Sequence, residues 1–255
     1  MHAAWNLLLG KAKEVQAATA ATFVLSVVLA APFAAIWWSA HASVWPYALA
    51  STLLEAVYAL GLAYGYKLAE VSFVYPLTRG LSPVITLIAA VVLLGHGATA
   101  PEVGGVLLVA VGVVLVRGPE GHGDSKAFLV VLTTAAAIAA YTLVDRTGIQ
   151  RAGAFSYYLL VLLGPCLVYP PVVGLRAVRR AIGPLTITAA AAAFASFVLG
   201  LLALRRGAAA PVLAVRTSSI VITTMLAGPL LGEHVARSRI AGSVVVFAGV
   251  ALLAA

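Results

Sequence analysis

Long apolar runs, broken by short polar turns, make up most of the chain. They cover residues 15–38, 47–66, 71–95, 102–117, 127–145, 155–175, 184–204, 208–231 and 239–255. A helix needs about 20 mostly apolar residues to cross roughly 30 Å of hydrocarbon, so the pattern predicts nine membrane-spanning helices. Residues 1–10 form a shorter apolar stub, and ten helical residues reach only about 15 Å. The stub reads as the C-terminal half of a tenth, truncated helix: either the first helix is short or the natural start lies upstream of Met1. Turns are short, so consecutive helices are expected to be antiparallel neighbours. Lipid offers the backbone no hydrogen-bond partners, which favours helices. The short alternating segments of a membrane β-barrel are absent from the sequence.

The chain also repeats itself. Sliding it by 137 residues places Arg79 on Arg216, Ser82 on Ser219, Ile85 on Ile222, Thr86 on Thr223, Gly105 on Gly242 and Gly112 on Gly249. Residues 79–115 give 14 identities in 37 positions, where biased composition alone gives roughly four. A shift of 136 places Ala4-Trp5-Asn6-Leu7 on Ala140-Tyr141-Thr142-Leu143. The stub is therefore the partner of the run 127–145. Two five-helix repeats follow, residues 1–119 and 125–255, joined by a linker at 120–124. An odd number of helices per repeat inverts the second repeat relative to the first. The expected fold is an all-α integral membrane bundle of ten helices in two inverted five-helix repeats, an arrangement typical of secondary transporters with a midplane site.

Composition narrows the function. Charged residues are 9% of the chain and apolar residues 63%, against about 25% charged in a soluble domain. A cytosolic enzyme, a nucleic-acid binder and a disordered chain are all disfavoured. The net charge of +8 comes from scattered basic residues rather than a basic stripe. Cys166 is the lone cysteine, which precludes an intrachain disulfide and a thiolate zinc site. MHAAWNLLLGK has neither a basic leader nor a small-residue cleavage motif, and does not read as a cleaved signal peptide. The phosphate-loop, H-E-x-x-H, C-x-x-C and G-x-S-x-G patterns are missing. No enzymatic activity, metal or cofactor is expected.

Several segments resemble the drug/metabolite transporter superfamily, EamA type. They are His2-Ala3-Ala4-Trp5-Asn6, Val74-Tyr75-Pro76-Leu77-Thr78-Arg79-Gly80, Tyr141-Thr142-Leu143-Val144-Asp145, Leu230-Leu231-Gly232-Glu233, and the glycines Gly242 and Gly249. The resemblance covers nearly the whole chain and implies a ten-helix carrier working by alternating access. It also implies both termini in the cytoplasm. The basic residues point elsewhere: counting the stub as helix 1, odd-numbered turns carry ten and even-numbered turns four, which puts the odd turns in the cytoplasm and the C-terminus outside.

Ionisable groups deep in a membrane cost about 2.5–3.5 kcal/mol each on insertion scales and persist where they meet a cavity or a partner. Arg79, Arg216 and Glu55 are each the ninth residue of their run, about 12 Å in by helical rise. Each lies on a polar stripe: Tyr75, Arg79, Ser82 and Thr86; Arg216, Ser219 and Thr223; Ser51, Glu55 and Tyr58. The functional reading is a polar cavity in which the guanidinium forks of Arg79 and Arg216 bind a carboxylate, phosphate or phosphonate. Tyr75, Ser82, Ser219 and Tyr58 line it, with Trp5, Asn6, Tyr141 and Thr142 as an aromatic and hydrogen-bonding wall. Glu55 partners an arginine or exchanges the H+ that couples transport. With Asp145 taken as interfacial, paired with Arg146, the deep charges sum to +1, which favours an anionic substrate or one with an anionic end.

A structural reading stands beside it. The arginines can satisfy carbonyls freed by Pro76, Pro83 and Pro211, and the Trp5/Asn6 and Tyr141/Thr142 pairs can serve packing and a helix-end cap. Glu233-His234 is expected to face a turn. Trp37, Trp38 and Trp45 read as an interfacial aromatic belt, glycines 104, 105, 112, 242 and 249 as close helix contacts, His41, His96 and His122 as solvated turn residues, and Cys166 as packing.

The expected function is a secondary transporter of the inner (plasma) membrane, moving a small anionic or zwitterionic metabolite by alternating access as monomer or homodimer. Its partners are the substrate, the lipid bilayer and H+ as coupling ion, with no nucleic acid. The alternative is a non-transporting membrane subunit or scaffold, or a component of a lipid-carrier flippase.

Overall fold

A computed structural model describes residues 2–94, 99–117, 125–205 and 209–253. Each predicted run falls on its own helix: α1 (His2–Gly10), α2 (Val15–Ile36), α3 (Trp45–Leu68), α4 (Val71–Leu94), α5 (Ala100–Arg117), α6 (Ser125–Gly148), α7 (Ala154–Val173), α8 (Leu175–Arg180), α9 (Pro184–Arg205), α10 (Ala209–Leu231) and α11 (Arg237–Leu253). The stub is α1. The short α8 was not expected as a helix of its own. Gly174, at φ 102°, ends α7 and starts α8, a conformation that side chains with a Cβ resist. Among the described residues there is no strand, only an isolated antiparallel bridge between Ala40 and Ala152.

Six helical stretches among the described residues are long and apolar enough to cross a membrane: 15–36, 42–68, 71–89, 125–151, 154–173 and 184–203. Two shorter apolar helices cover 100–116 and 218–231. Large apolar side chains on these helices stay exposed, among them Ile36, Leu53, Val92, Val114 and Leu167. In water such surfaces drive association; in hydrocarbon they are the ordinary outer face. The chain is a multi-pass, all-α membrane protein.

The chain divides into two compact units, residues 1–63 with 140–208 and residues 64–139 with 209–255. Each unit draws on both sequence repeats, so the repeats describe the register of the sequence and the units describe its packing.

In the first unit α2 packs against α7 and α9, and α1 against α9. Phe33, Phe155 and Phe194 form a ring cluster, which Trp37 joins through Phe33 and Phe155. The turn after α2 is tied to the turn before α7: Gly153 N–H donates to the Ser39 carbonyl (2.6 Å) and Ser39 N–H to Ser156 Oγ (2.9 Å). Trp37, Trp38 and Trp45 are about half exposed at these helix ends, as an interfacial belt requires. His41 accepts from Ser43 N–H and starts a short 3-10 turn; His96 and His122 lie outside the described residues.

In the second unit Val71, Tyr75, Val84, Val109, Ile220, Val246 and Val250 form the core. Glycines 105 and 112 of α5 face glycines 249 and 242 of α11, respectively. A Cβ on any of the four would stand 2.8 Å from a carbonyl oxygen of its opposite number. The two helices run antiparallel at a distance only bare α-carbons allow. At the start of α4, the Glu233 carboxylate accepts from the N–H groups of Val71 (2.8 Å) and Ser72 (3.0 Å). Glu233 therefore caps a distant helix N-terminus, where orphan donors and the helix dipole both favour a carboxylate. Arg239 completes the corner, pairing with Glu70 and donating to Ser72 Oγ (3.0 Å).

Candidate functional site

The polar stripe of α3 is buried in the first unit: Ser51 and Glu55 are fully enclosed and Tyr58 nearly so. The unit-one end of α6 lies alongside it. Tyr58 and Tyr141 meet edge to face, with ring centroids 5.8 Å apart, and Ser51 Oγ donates to Asp145 Oδ1 at 2.6 Å. Tyr157 of α7 donates to the same oxygen at 2.8 Å. Asp145 is only 2% exposed and engages these hydroxyls, whereas Arg146 is exposed, so the expected Asp145–Arg146 pairing gives way to contacts with α3 and α7. An ionised carboxylate only accepts, and helices α3 and α7 each bring it a hydroxyl. Gly148 makes room for one of them, because a Cβ there would sit 2.6 Å from Tyr157 ring carbons. Tyr141, Asp145 and Gly148 are spaced i, i+4, i+7 on one helix face; that spacing was the available signal for the site.

A second hydroxyl locks α3 to α7 one step along. Pro165 has no N–H to give the Val161 carbonyl four residues back. Thr52 Oγ1 donates to that carbonyl at 2.5 Å and accepts from Gly164 N–H at 2.9 Å. The helix is thus re-satisfied from its neighbour, as an apolar solvent demands. Trp5 and Asn6 of α1 are buried, and Thr142 is half-buried.

In the second unit, the Tyr75 hydroxyl and Ser219 Oγ are 2.8 Å apart. The Arg79 guanidinium lies 5.9 Å from the centroid of the Tyr75 ring, at the edge of cation–π range. Arg79 itself is half-buried. Ser82 is buried, and Thr86 donates to its carbonyl at 3.0 Å. Arg216 is on α10, but its side chain lies outside the described residues, as does that of Pro211. The candidates thus fall into two sets. Trp5, Asn6, Glu55, Tyr58, Tyr141 and Thr142 belong to the first unit; Tyr75, Arg79, Ser82, Ser219 and Arg216 belong to the second. Among the described residues no cluster of His, Cys, Asp and Glu has the makings of a metal site.

The two hydroxyls on Asp145 set up a prediction. Asp145→Ala strands two buried hydroxyl donors and should destabilise the protein in detergent by about 2–6 kcal/mol, at about 1–3 kcal/mol for each unsatisfied donor. Asp145→Asn keeps an acceptor oxygen and should lose only about 1–2 kcal/mol. Thermal or denaturant melts compare them; equal losses would mean that acceptance at Oδ1 is not what holds this corner.

No family model matches the chain, and no curated protein does. A solved structure, described only as a crystal structure of a protein, is similar over 98% of this chain and 94% of its own, with a TM-score of 0.59 and 18% identity. The likeness is one of fold.

Proposed function

We propose that the chain is a secondary membrane transporter, non-enzymatic and EamA-like, that moves a small zwitterionic or anionic metabolite across an inner (plasma) membrane by alternating access. The observation that carries this reading is the enclosed ionisable set on membrane-spanning helices: Glu55 at 0% and Asp145 at 2% exposure, with Arg79 half-buried. A bilayer tolerates such groups chiefly on substrate, ion and proton pathways.

The ten-helix, inverted-repeat architecture belongs to the same proposal. It is supported by pseudo-equivalent helices that pack on each other within a unit: α2 on α7, α4 on α10, α5 on α11. The glycine contacts add to this, since shifting by 137 residues turns the pair Gly105–Gly249 into Gly242–Gly112. That is the self-complementary contact a two-fold axis produces.

The test is uptake by proteoliposomes across amino acids, other zwitterions, organic anions and phosphonates, with and without a pH gradient. Saturable uptake of an anionic or zwitterionic member of the panel, absent from empty liposomes, is expected. Correctly inserted protein that neither accumulates nor exchanges any member of the panel would overturn the carrier reading and leave the scaffold.

A further inference from the structure

At one end of the first unit a half-open cavity of about 360 Å³ is lined by Lys11, Lys13, Glu14, Arg180 and Leu185, with alanines between them. Its volume is at the lower end of the roughly 300–1,000 Å³ of small-ligand sites. The cavity sits where α2 and α9 begin and α8 ends, beside the starts of two membrane spans. Three cations face one carboxylate there. The ion pair of Arg239 with Glu70 involves none of the four. The hydroxyl of Thr186, also at the cavity, is already engaged with the carbonyls of Ala181 and Gly183, so recognition rests on the cations.

The neighbouring helix has the composition of an interfacial one. In α8, Leu175-Arg-Ala-Val-Arg-Arg180, Val178 is buried, and Arg176, Arg179 and Arg180 are exposed. Leu175 of α8, Ile182 of the following turn and Ile187 in the first turn of α9 are exposed by 66%, 47% and 49%. Cations, a cavity and exposed aliphatic side chains together match a molecule with an anionic head and an apolar tail. A soluble anion has no use for the aliphatic part. Glu14 repels a bare phosphate but accepts hydrogen bonds from headgroup hydroxyls.

We propose that this cavity binds the headgroup phosphate of an anionic phospholipid of the leaflet it faces, with Lys11, Lys13 and Arg180 on the phosphate and Glu14 on headgroup hydroxyls. The proposal is independent of transport. It is tested by native mass spectrometry of the full chain in detergent, with phosphatidylglycerol and phosphatidylcholine supplied in equal amounts. Phosphatidylglycerol should be retained preferentially. Lys13→Gln/Arg180→Gln should weaken its binding by about tenfold or more for each basic side chain, as for loss of a hydrogen bond to a charged group. Arg176→Gln/Arg179→Gln removes the same charge outside the cavity and should change binding by less than about threefold. Equal losses in the two pairs would reduce the effect to diffuse attraction and overturn the site. So would absence of lipid preference, or displacement of the lipid by millimolar inorganic phosphate, which would mark a soluble-anion site. If the first pair does not fold, Arg180→Gln alone is read on the same scale.

Discussion

Glu55→Gln is expected to abolish gradient-driven accumulation while leaving substrate exchange intact. Glu55 is fully buried on α3, one turn from Ser51 and one from Tyr58. It stands ten residues into the helix, about 15 Å from its start. Gln keeps the volume and most of the hydrogen bonding but cannot release or take a proton. Each pH unit across the membrane is worth about 1.4 kcal/mol per proton, which supports about tenfold accumulation when one proton moves with each substrate. The variant should reach a ratio of about one by that arithmetic, measured as uptake at a one-unit gradient. Counterflow of labelled against unlabelled substrate needs no net proton and should continue. Asp145→Asn is the companion measurement: Asp145 Oδ1 already holds the Ser51 and Tyr157 hydroxyls, and coupling should persist in that variant. Accumulation unchanged in Glu55→Gln would remove the proton role from Glu55, whatever the substrate proves to be.

Helix positions were legible because lipid makes the simplest demand a sequence can meet, and each apolar run became a helix. The α3 stripe was legible for the same reason: Ser51, Glu55 and Tyr58 recur at helical spacing, and all three are buried. The partners of Asp145 were not legible: it lies near the end of α6, which continues to Gly148, and its local pattern offers only Arg146. Its burial depends on α3 and α7, which no local pattern reveals. Glu233 was similarly opaque. It ends a run, yet its carboxylate caps α4 from 162 positions away in sequence. The Thr52–Val161 bond could have been suspected from Pro165, which must orphan a carbonyl, but not assigned to Thr52. Local periodicity reports which face of a helix is polar. Which donor reaches which acceptor is decided by packing.

The glycine seam between α5 and α11 should tolerate no side chain, and the way it fails is informative. A Cβ on Gly112 would stand 2.7 Å from the Val246 nitrogen and 2.8 Å from the Gly242 carbonyl oxygen; one on Gly242 would meet Val116 N at 2.7 Å and the Gly112 oxygen at 2.8 Å. These obstacles are backbone, so no rotamer change relieves them and the helices must part. Gly112→Ala and Gly242→Ala should each lose about 1–3 kcal/mol or more by overpacking, read as a lower melting temperature in detergent. The double variant should lose clearly less than the sum, because helices already forced apart by one methyl have room for the other. Gly104→Ala is the control on the same helix. Its Cβ would meet only Leu252 Cδ2 at 3.3 Å, the end of a flexible side chain, and should be nearly silent. Full additivity in the double variant would mean that the two glycines do not report one shared separation. Wild-type melting in either single variant would mean that α5 and α11 do not pack this closely at all. The two-fold relation drawn from the 137-residue shift would then lose its structural support, whereas the enclosed carboxylates of the first unit would be untouched.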